Sequence, residues 1–200
     1  MNYEKVIFVD LETSGFLPEI QEIIQVSAID TVTGDSFNEY VKFKASNANP
    51  KALEMNSYNE DIWAEKAISQ SRAFYNFQDW LSKRLYYTRT RKDGNEFQTA
   101  VLAGHNIEKF DILFLREWEC RFSDKLNIDY VCYDTLQLAR WILPELHSHS
   151  LESLCNYYEI ETKSLHDSLK DTLVNIDIAY RILEEIGRKP KWHPCLISKK

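Results

Sequence analysis

The chain has 200 residues, of which 44% are apolar and 13% aromatic, enough for one domain of ordinary size with a substantial core. Its formal net charge of −7 argues against a nonspecific nucleic-acid binder. No apolar stretch approaches the ~20 residues of a membrane span, and residues 1–5 show no signal-peptide pattern before the first strand-like segment. We therefore expect a cytosolic protein without membrane contacts.

The four cysteines form no C-x-x-C pair, so we expect reduced thiols rather than disulfides. A zinc site is the alternative, and its ligands would be Cys132, His147, His149 and Cys155. The spacing of these four residues matches no standard zinc template, which disfavours that interpretation.

Basic residues are concentrated in two places. Residues 187–200 carry five Lys or Arg and no acid, so they contribute +5 while the rest of the chain carries −12. We predict one domain over residues 1–186 followed by a basic C-terminal tail, 187–200. A second basic cluster contains Lys83, Arg84, Arg89, Arg91 and Lys92. Both clusters are compatible with phosphate binding, but a loose tail and a solvated surface loop are the slightly favoured explanations.

The first third of the chain predicts an antiparallel meander. Apolar and β-branched residues mark strands at about 5–10, 22–30 and 36–43, and turn residues occur in the links at 14–18 and 33–35.

The remainder alternates helices and strands. Periodicity predicts helices at about 71–85, 108–122, 135–142, 151–158 and 168–186, strands at 100–103 and 130–133, and a hairpin-like excursion over 86–97. This order predicts an α/β fold in which helices pack against a mixed sheet.

Asp10 and Glu12 end the apolar run that begins at Val6. Side chains two apart in a strand point to the same face, so the two carboxylates should converge. Like charges at the end of a buried strand raise each other's pKa unless a divalent cation neutralises them. A metal site and a strand that ends in solvated acids are both compatible with this local pattern.

A second group of polar residues follows the strand at 100–103. His105 and Asn106 lie where loops of α/β folds often face a ligand. Asp111 falls in the first turn of the following helix, where the helix dipole alone would also favour an acid.

The third group is at the start of the last long helix and contains His166, Ser168 and Asp171. Ser168 as N-cap and Asp171 three residues later resemble a capping box, which is a structural explanation. If Ser168 is the cap, His166 lies in the preceding loop, and only from there can it converge with Asp171.

Together these three groups resemble the DEDDh group of 3′→5′ exonucleases. The resemblance implies a ribonuclease H-like fold with a mixed five-stranded sheet flanked by helices. It also implies that Asp10, Glu12, Asp111 and Asp171 hold two Mg²⁺ or Mn²⁺ ions and that His166 is the general base.

The resemblance further implies a substrate with a free 3′ end, released as nucleoside 5′-monophosphates, and allows a DNA polymerase as partner. Thr13, Met55, His105 and Asn106 are the expected substrate contacts. Single-stranded DNA or frayed 3′ ends are the preferred substrate, and short RNA or RNA 3′ ends are the alternative. Residues 52–58 lack the Gly-Ile step often found in relatives, so recognition there is expected to differ.

Two readings from other classes stay open. One is a catalytically silent module of the same fold that binds a polymerase or nucleic acid, although this requires a lost ligand and none is lost here. The other is a nonenzymatic interaction domain in which the motifs arose by chance.

Overall fold

The fold is built on a mixed sheet of five strands in the order β3-β2-β1-β6-β7. A computed structural model describes residues 5–56, 58–129, 131–161 and 168–187. The strands of this sheet are β1 (Ile7–Thr13), β2 (Ile23–Asp30), β3 (Ser36–Tyr40), β6 (Leu102–Gly104) and β7 (Tyr133–Asp134), and a separate hairpin contains β4 (Tyr87–Thr90) and β5 (Glu96–Thr99). The first three strands pair antiparallel, while β6 pairs parallel with both β1 and β7. The predicted meander, hairpin and mixed sheet are thus confirmed.

Seven α-helices occur in the described part of the chain. They are α1 (Pro50–Met55), α2 (Glu60–Lys66), α3 (Gln70–Ser82), α4 (Asp111–Phe122), α5 (Thr135–Ile142), α6 (Leu151–Tyr157) and α7 (Ser168–Glu185). Sequence reasoning missed α1 and α2, which are too short to show a clear apolar period. Their signal was the capping residues, because Asn49 and Asn59 each accept a hydrogen bond from an amide of the first turn.

The central strand β1 is buried on both faces, which explains its unbroken apolar run. Ile7, Val9 and Leu11 belong to the core that contains residues of α3 and α4. Phe8 belongs to a second cluster that contains residues of α7. Because side chains alternate along a strand, Asp10 and Glu12 also point toward the α7 side.

The second basic cluster is largely taken up by ion pairs. Arg84 is only 7% exposed and contacts Asp30 at 3.3 Å and Asp35 at 3.1 Å. Its guanidinium also lies 3.9 Å from the centre of the Trp80 ring. Arg89 pairs with the buried Asp129. The structure therefore favours a structural role for these two arginines over phosphate binding.

None of the helices in the described residues is long and apolar enough to cross a membrane.

Arg84→Met should destabilise the fold strongly, because it leaves the fully buried Asp30 carboxylate without its cationic partner. We expect the free energy of unfolding, measured in urea, to fall by about 3 to 5 kcal/mol. The neighbouring Lys83→Met is the matched control, since its pair with Asp79 is 65% exposed on the lysine side and should be worth less than about 1 kcal/mol. Equal effects of the two substitutions would contradict a structural role for Arg84.

Candidate metal centre at the end of β1

Three carboxylates meet above the α7 face of the sheet. Ligand oxygens of Asp10, Glu12 and Asp171 all lie within 4.8 Å of one another. Asp10 and Glu12 come from alternate positions of β1, and Asp171 comes from the first turn of α7. This is the one group of potential metal ligands found among the described residues, so Cys132, His147, His149 and Cys155 form no such group.

Ser168 fastens α7 to the strand that carries the acids. Its hydroxyl donates a hydrogen bond of 2.9 Å to the main-chain oxygen of Asp10. Ser168 is fully buried and is the first residue of α7 in the structure, whereas the sequence predicted it as the cap. The hydroxyl hydrogen therefore links helix to strand, which places Asp171 beside Asp10.

Asp111 is buried in the first turn of α4 and lies against the same strand. Its Oδ1 accepts a hydrogen bond of 3.0 Å from the Leu11 amide. The pairing of β1 with β6 ends at Phe8, so β6 offers no carbonyl to the Leu11 amide. Asp111 accepts the hydrogen bond from that amide instead. Asp111 is not a member of the three-carboxylate group, but the charge of Asp10 is close enough to raise its pKa.

Burial and like charge shift the protonation of these acids. The pKa of Asp10 is raised to about 7, chiefly by burial and then by the charge of Asp171. The pKa of Asp111 is raised well above its usual value, again by burial first and by Asp10 second. A site that makes carboxylates reluctant to ionise gains stability when a divalent cation neutralises them.

The predicted substrate residues Thr13 and Met55 lie near each other at the end of β1. Thr13 is buried, and its hydroxyl donates to the Gly15 carbonyl at 2.6 Å. The Asn56 side-chain amide donates to the Thr13 carbonyl at 2.7 Å, which ties the end of α1 to β1. Met55 is 56% exposed and is therefore accessible to a ligand, whereas the Thr13 hydroxyl is already engaged.

His105 and Asn106 follow β6 at the same edge of the sheet. Nδ1 of His105 lies 3.2 Å from Oγ1 of Thr135, and burial lowers the pKa of the His105 imidazole to about 4, so it is neutral at pH 7. Asn106 adopts a left-handed backbone with φ of 60°, and its amide donates to Asp134 Oδ1 at 3.1 Å. Asparagine adopts this left-handed conformation more readily than most other residues apart from glycine.

Sequence reasoning missed three residues that position this edge. Asp134 accepts from the Leu136 and Gln137 amides as the cap of α5, and it also accepts from the amides of the loop after β6. Thr135 donates to Asn175 Oδ1 at 2.7 Å, which links α5 to α7. The available signal was the Asp-Thr pair directly before a helical period.

Gly104 allows β6 to approach β1 closely beside the carboxylates. A Cβ atom at this position would lie 2.8 Å from the Val9 carbonyl oxygen, a distance that real side chains do not show. Glycine is thus required by the packing rather than by its φ angle.

His166, the predicted general base, lies outside the described residues, as do residues 188–200 of the predicted tail.

The exonuclease family model RNase_T matches residues 95–179. This region contains Asp111, His166 and Asp171, while Asp10 and Glu12 precede it. Two polymerase relatives extend the comparison. The PolC-type DNA polymerase III of Oceanobacillus iheyensis is 25% identical over 190 residues, which cover 92% of this chain and 12% of that protein. The DNA polymerase III subunit epsilon of Aquifex aeolicus is 32% identical over 90 residues, 44% of this chain and 43% of the subunit.

Solved structures of exonuclease I share the fold. The E. coli enzyme in complex with a dT13 oligonucleotide has a TM-score of 0.68 and 19% identity, and covers 96% of this chain and 42% of that one. Its complex with a dA16 oligonucleotide gives a TM-score of 0.70 and 20% identity over 94% of this chain and 42% of that one. These likenesses confirm the predicted ribonuclease H-like fold. The present chain spans only about an eighth of the length of the PolC-type relatives.

Asp10→Asn should stabilise the protein in the absence of metal. The raised pKa of Asp10 means that the folded state holds its proton more tightly than the unfolded state, so ionisation costs stability as the pH rises from about 4 to about 7. Urea unfolding in EDTA should show the variant to be more stable by about 1 to 3 kcal/mol at pH 8 and equal to the parent below about pH 4. With saturating Mg²⁺ the parent should gain stability and the variant should gain less. A variant that is less stable than the parent in EDTA at pH 8 would contradict the conclusion that the ionised Asp10 carboxylate destabilises the metal-free protein.

Proposed function

We propose that this chain, whose residues 95–179 match the exonuclease family model, hydrolyses a nucleic acid strand stepwise from its 3′ end and releases nucleoside 5′-monophosphates. The observation that carries the proposal is the group formed by Asp10, Glu12 and Asp171, whose oxygens lie within 4.8 Å of one another. Phosphodiester hydrolysis by a cluster of carboxylates requires divalent cations, because the acids alone would repel the phosphate.

The donor set fits Mg²⁺ or Mn²⁺. Both ions prefer oxygen ligands, and the structure offers three converging carboxylates that are costly to ionise without a cation. We propose that Asp10, Glu12, Asp171 and Asp111 hold two such ions, with Asp111 using the oxygen that does not accept from Leu11. Bound there, the ions would supply charge stabilisation to the phosphate and acidify a water.

The chain's own residues would orient the site and move the proton. His166, five residues before Asp171, would take the proton of the attacking water, since an imidazole with a pKa of about 6.5 is a suitable base near neutral pH. The bond from that water to phosphorus forms as the bond to the 3′ oxygen breaks. Ser168 holds the start of α7 against β1, so it keeps Asp171 in register with Asp10.

Single-stranded DNA is the proposed substrate. Support comes from exonuclease I, which shares this fold and whose structures include dT13 and dA16 oligonucleotides. The DNA polymerase III relatives point to the same substrate class and support a DNA polymerase as partner. No feature of the described residues favours RNA.

Asp10→Asn should abolish most of the activity. With a 5′-labelled single strand and Mg²⁺, the parent should produce a ladder that shortens from the 3′ end, and the variant should be slower by about 100- to 1000-fold. Asp61→Asn, an exposed acid in the first turn of α2, is the matched control and should act like the parent. A parent that degrades a matched RNA strand faster than DNA would overturn the substrate proposal, and a fully active Asp10→Asn variant would overturn the mechanism.

His166→Asn should lower the hydrolysis rate by about 100- to 10,000-fold. A general base must be neutral to accept a proton. The parent's rate should therefore be low at acidic pH and increase as the pH is raised through the ordinary imidazole pKa of about 6.5. The variant should lose this rise, yet keep the Mg²⁺-dependent gain in melting temperature, because His166 is not a proposed ligand. Retention of the parental pH profile in the variant would assign the base to another group.

A further inference from the structure

A second cleft opens beside the carboxylate site. It has a volume of about 680 Å³ and lies between α5, the loop after β6 and residues 144–151. Eleven residues line it, and none of them is acidic. The Asp134 carboxylate lies behind the lining, where it accepts a hydrogen bond from the Asn106 main-chain amide, and Glu145 and Glu152 are close along the chain. In a chain with a net charge of −7, a cleft lined by one arginine, three histidines and two serines is unusual and suits an anion.

Arg140 supplies the cleft's permanent charge. It is exposed on α5 and lies close enough to His105 to lower that residue's pKa. No ion pair to Arg140 occurs among the described residues. Most other described arginines are neutralised by carboxylates: Arg84, Arg89, Arg116, Arg121 and Arg181. The Arg140 guanidinium is therefore available to a ligand.

The far wall of the cleft is held in place by hydrogen bonds. Nε2 of His149 lies 2.8 Å from the Leu143 carbonyl oxygen, so this nitrogen carries the hydrogen. Nδ1 of His105 lies 3.2 Å from Thr135 Oγ1, within hydrogen-bonding distance. Residues of the wall are thus fixed before any ligand arrives, which reduces the entropy cost of binding.

The cleft and the carboxylates share one edge of the sheet. The pairing between β1 and β6 ends with Phe8 opposite Ala103. Asp10 and His105 each lie two residues further along their own segment. On α7, Asp171 and Asn175 are one turn apart, about 6 Å along the axis. Thr135 joins Asn175 to His105. The hydrogen bonds of Thr135 therefore connect the wall of the cleft to α7, the helix that carries Asp171.

We propose that this cleft, the Arg140 cleft, binds a backbone phosphate of the substrate strand upstream of the phosphate that is hydrolysed. The inference rests on the proposed function, because it takes the ligand to be a nucleic acid strand. A guanidinium matches the geometry of two phosphate oxygens, and the absence of carboxylates from the lining avoids repulsion. The cleft would hold the strand in register and so favour strands longer than a dinucleotide.

The test neutralises one phosphate at a time. A series of oligothymidylates is prepared, and each carries one uncharged methylphosphonate at a different linkage counted from the 3′ end. Their affinities for the Asp10→Asn protein, which should degrade them only very slowly, are measured by fluorescence anisotropy. We expect two sensitive positions, the terminal linkage and one upstream linkage. Adding Arg140→Ala should weaken binding of the unmodified strand about 5- to 20-fold. It should also abolish the sensitivity at the upstream linkage alone, and lower the salt dependence of binding by about 0.7 in the log-log slope.

Arg72→Ala, at an exposed position of α3, is the matched control and should leave affinity unchanged. The proposal is overturned if Arg140→Ala weakens the binding of all methylphosphonate strands equally. It is also overturned if the substitution weakens inhibition of strand hydrolysis by thymidine 5′-monophosphate as much as it weakens strand binding, since the cleft would then hold the released product. If the upstream linkage depends on Arg140 but the parent hydrolyses no strand, the proposed function fails while the cleft assignment stands. Absence of binding to every strand would overturn both.

Discussion

The repulsion among buried carboxylates at the end of β1 is the constraint to which the rest of the site is fitted. Asp10, Glu12 and Asp171 would separate if their backbones were free, because each charge is poorly solvated and close to another. Neutral hydrogen bonds hold them together. Ser168 ties α7 to Asp10, and the antiparallel ladder with β2 fixes both acids of β1. The fold thus stores unfavourable electrostatic energy in the form that a divalent cation relieves.

The same edge of the sheet collects residues from distant parts of the chain. β1, β6 and β7 run parallel, so their carboxyl ends open at one side. Asp10 lies two residues after Phe8, where the pairing of β1 with β6 stops, His105 follows β6, and Asp134 ends β7. Gly104 lets β6 approach β1 without a clash, and the Thr135 to Asn175 hydrogen bond joins the helices above. The arrangement leaves the three carboxylates on one side of His105 and the Arg140 cleft, whose lining contains no acid, on the other.

Sequence patterns predicted most of the scaffold, and the failures have physical causes. The meander, the helices α3 to α7 and the hairpin were visible because their apolar periods or turn residues are long or strong. The helices α1 and α2 were missed, since six or seven residues give little periodicity and their caps were the only signal. The cluster of basic residues around Arg84 gave a false impression of a free surface, because sequence shows a charge and not the aspartate that neutralises it.

The sequence by itself determined that Asp10 and Glu12 share one face of a strand, because alternation along a strand depends on local backbone geometry alone. It also placed Asp111 and Asp171 in the first turns of two helices. Only the tertiary structure decided that Asp171 joins the pair on β1, while Asp111 contacts the Leu11 amide beside them. Those distances depend on how helices pack on the sheet, through contacts between residues more than a hundred positions apart, and such contacts leave no periodic trace in the sequence.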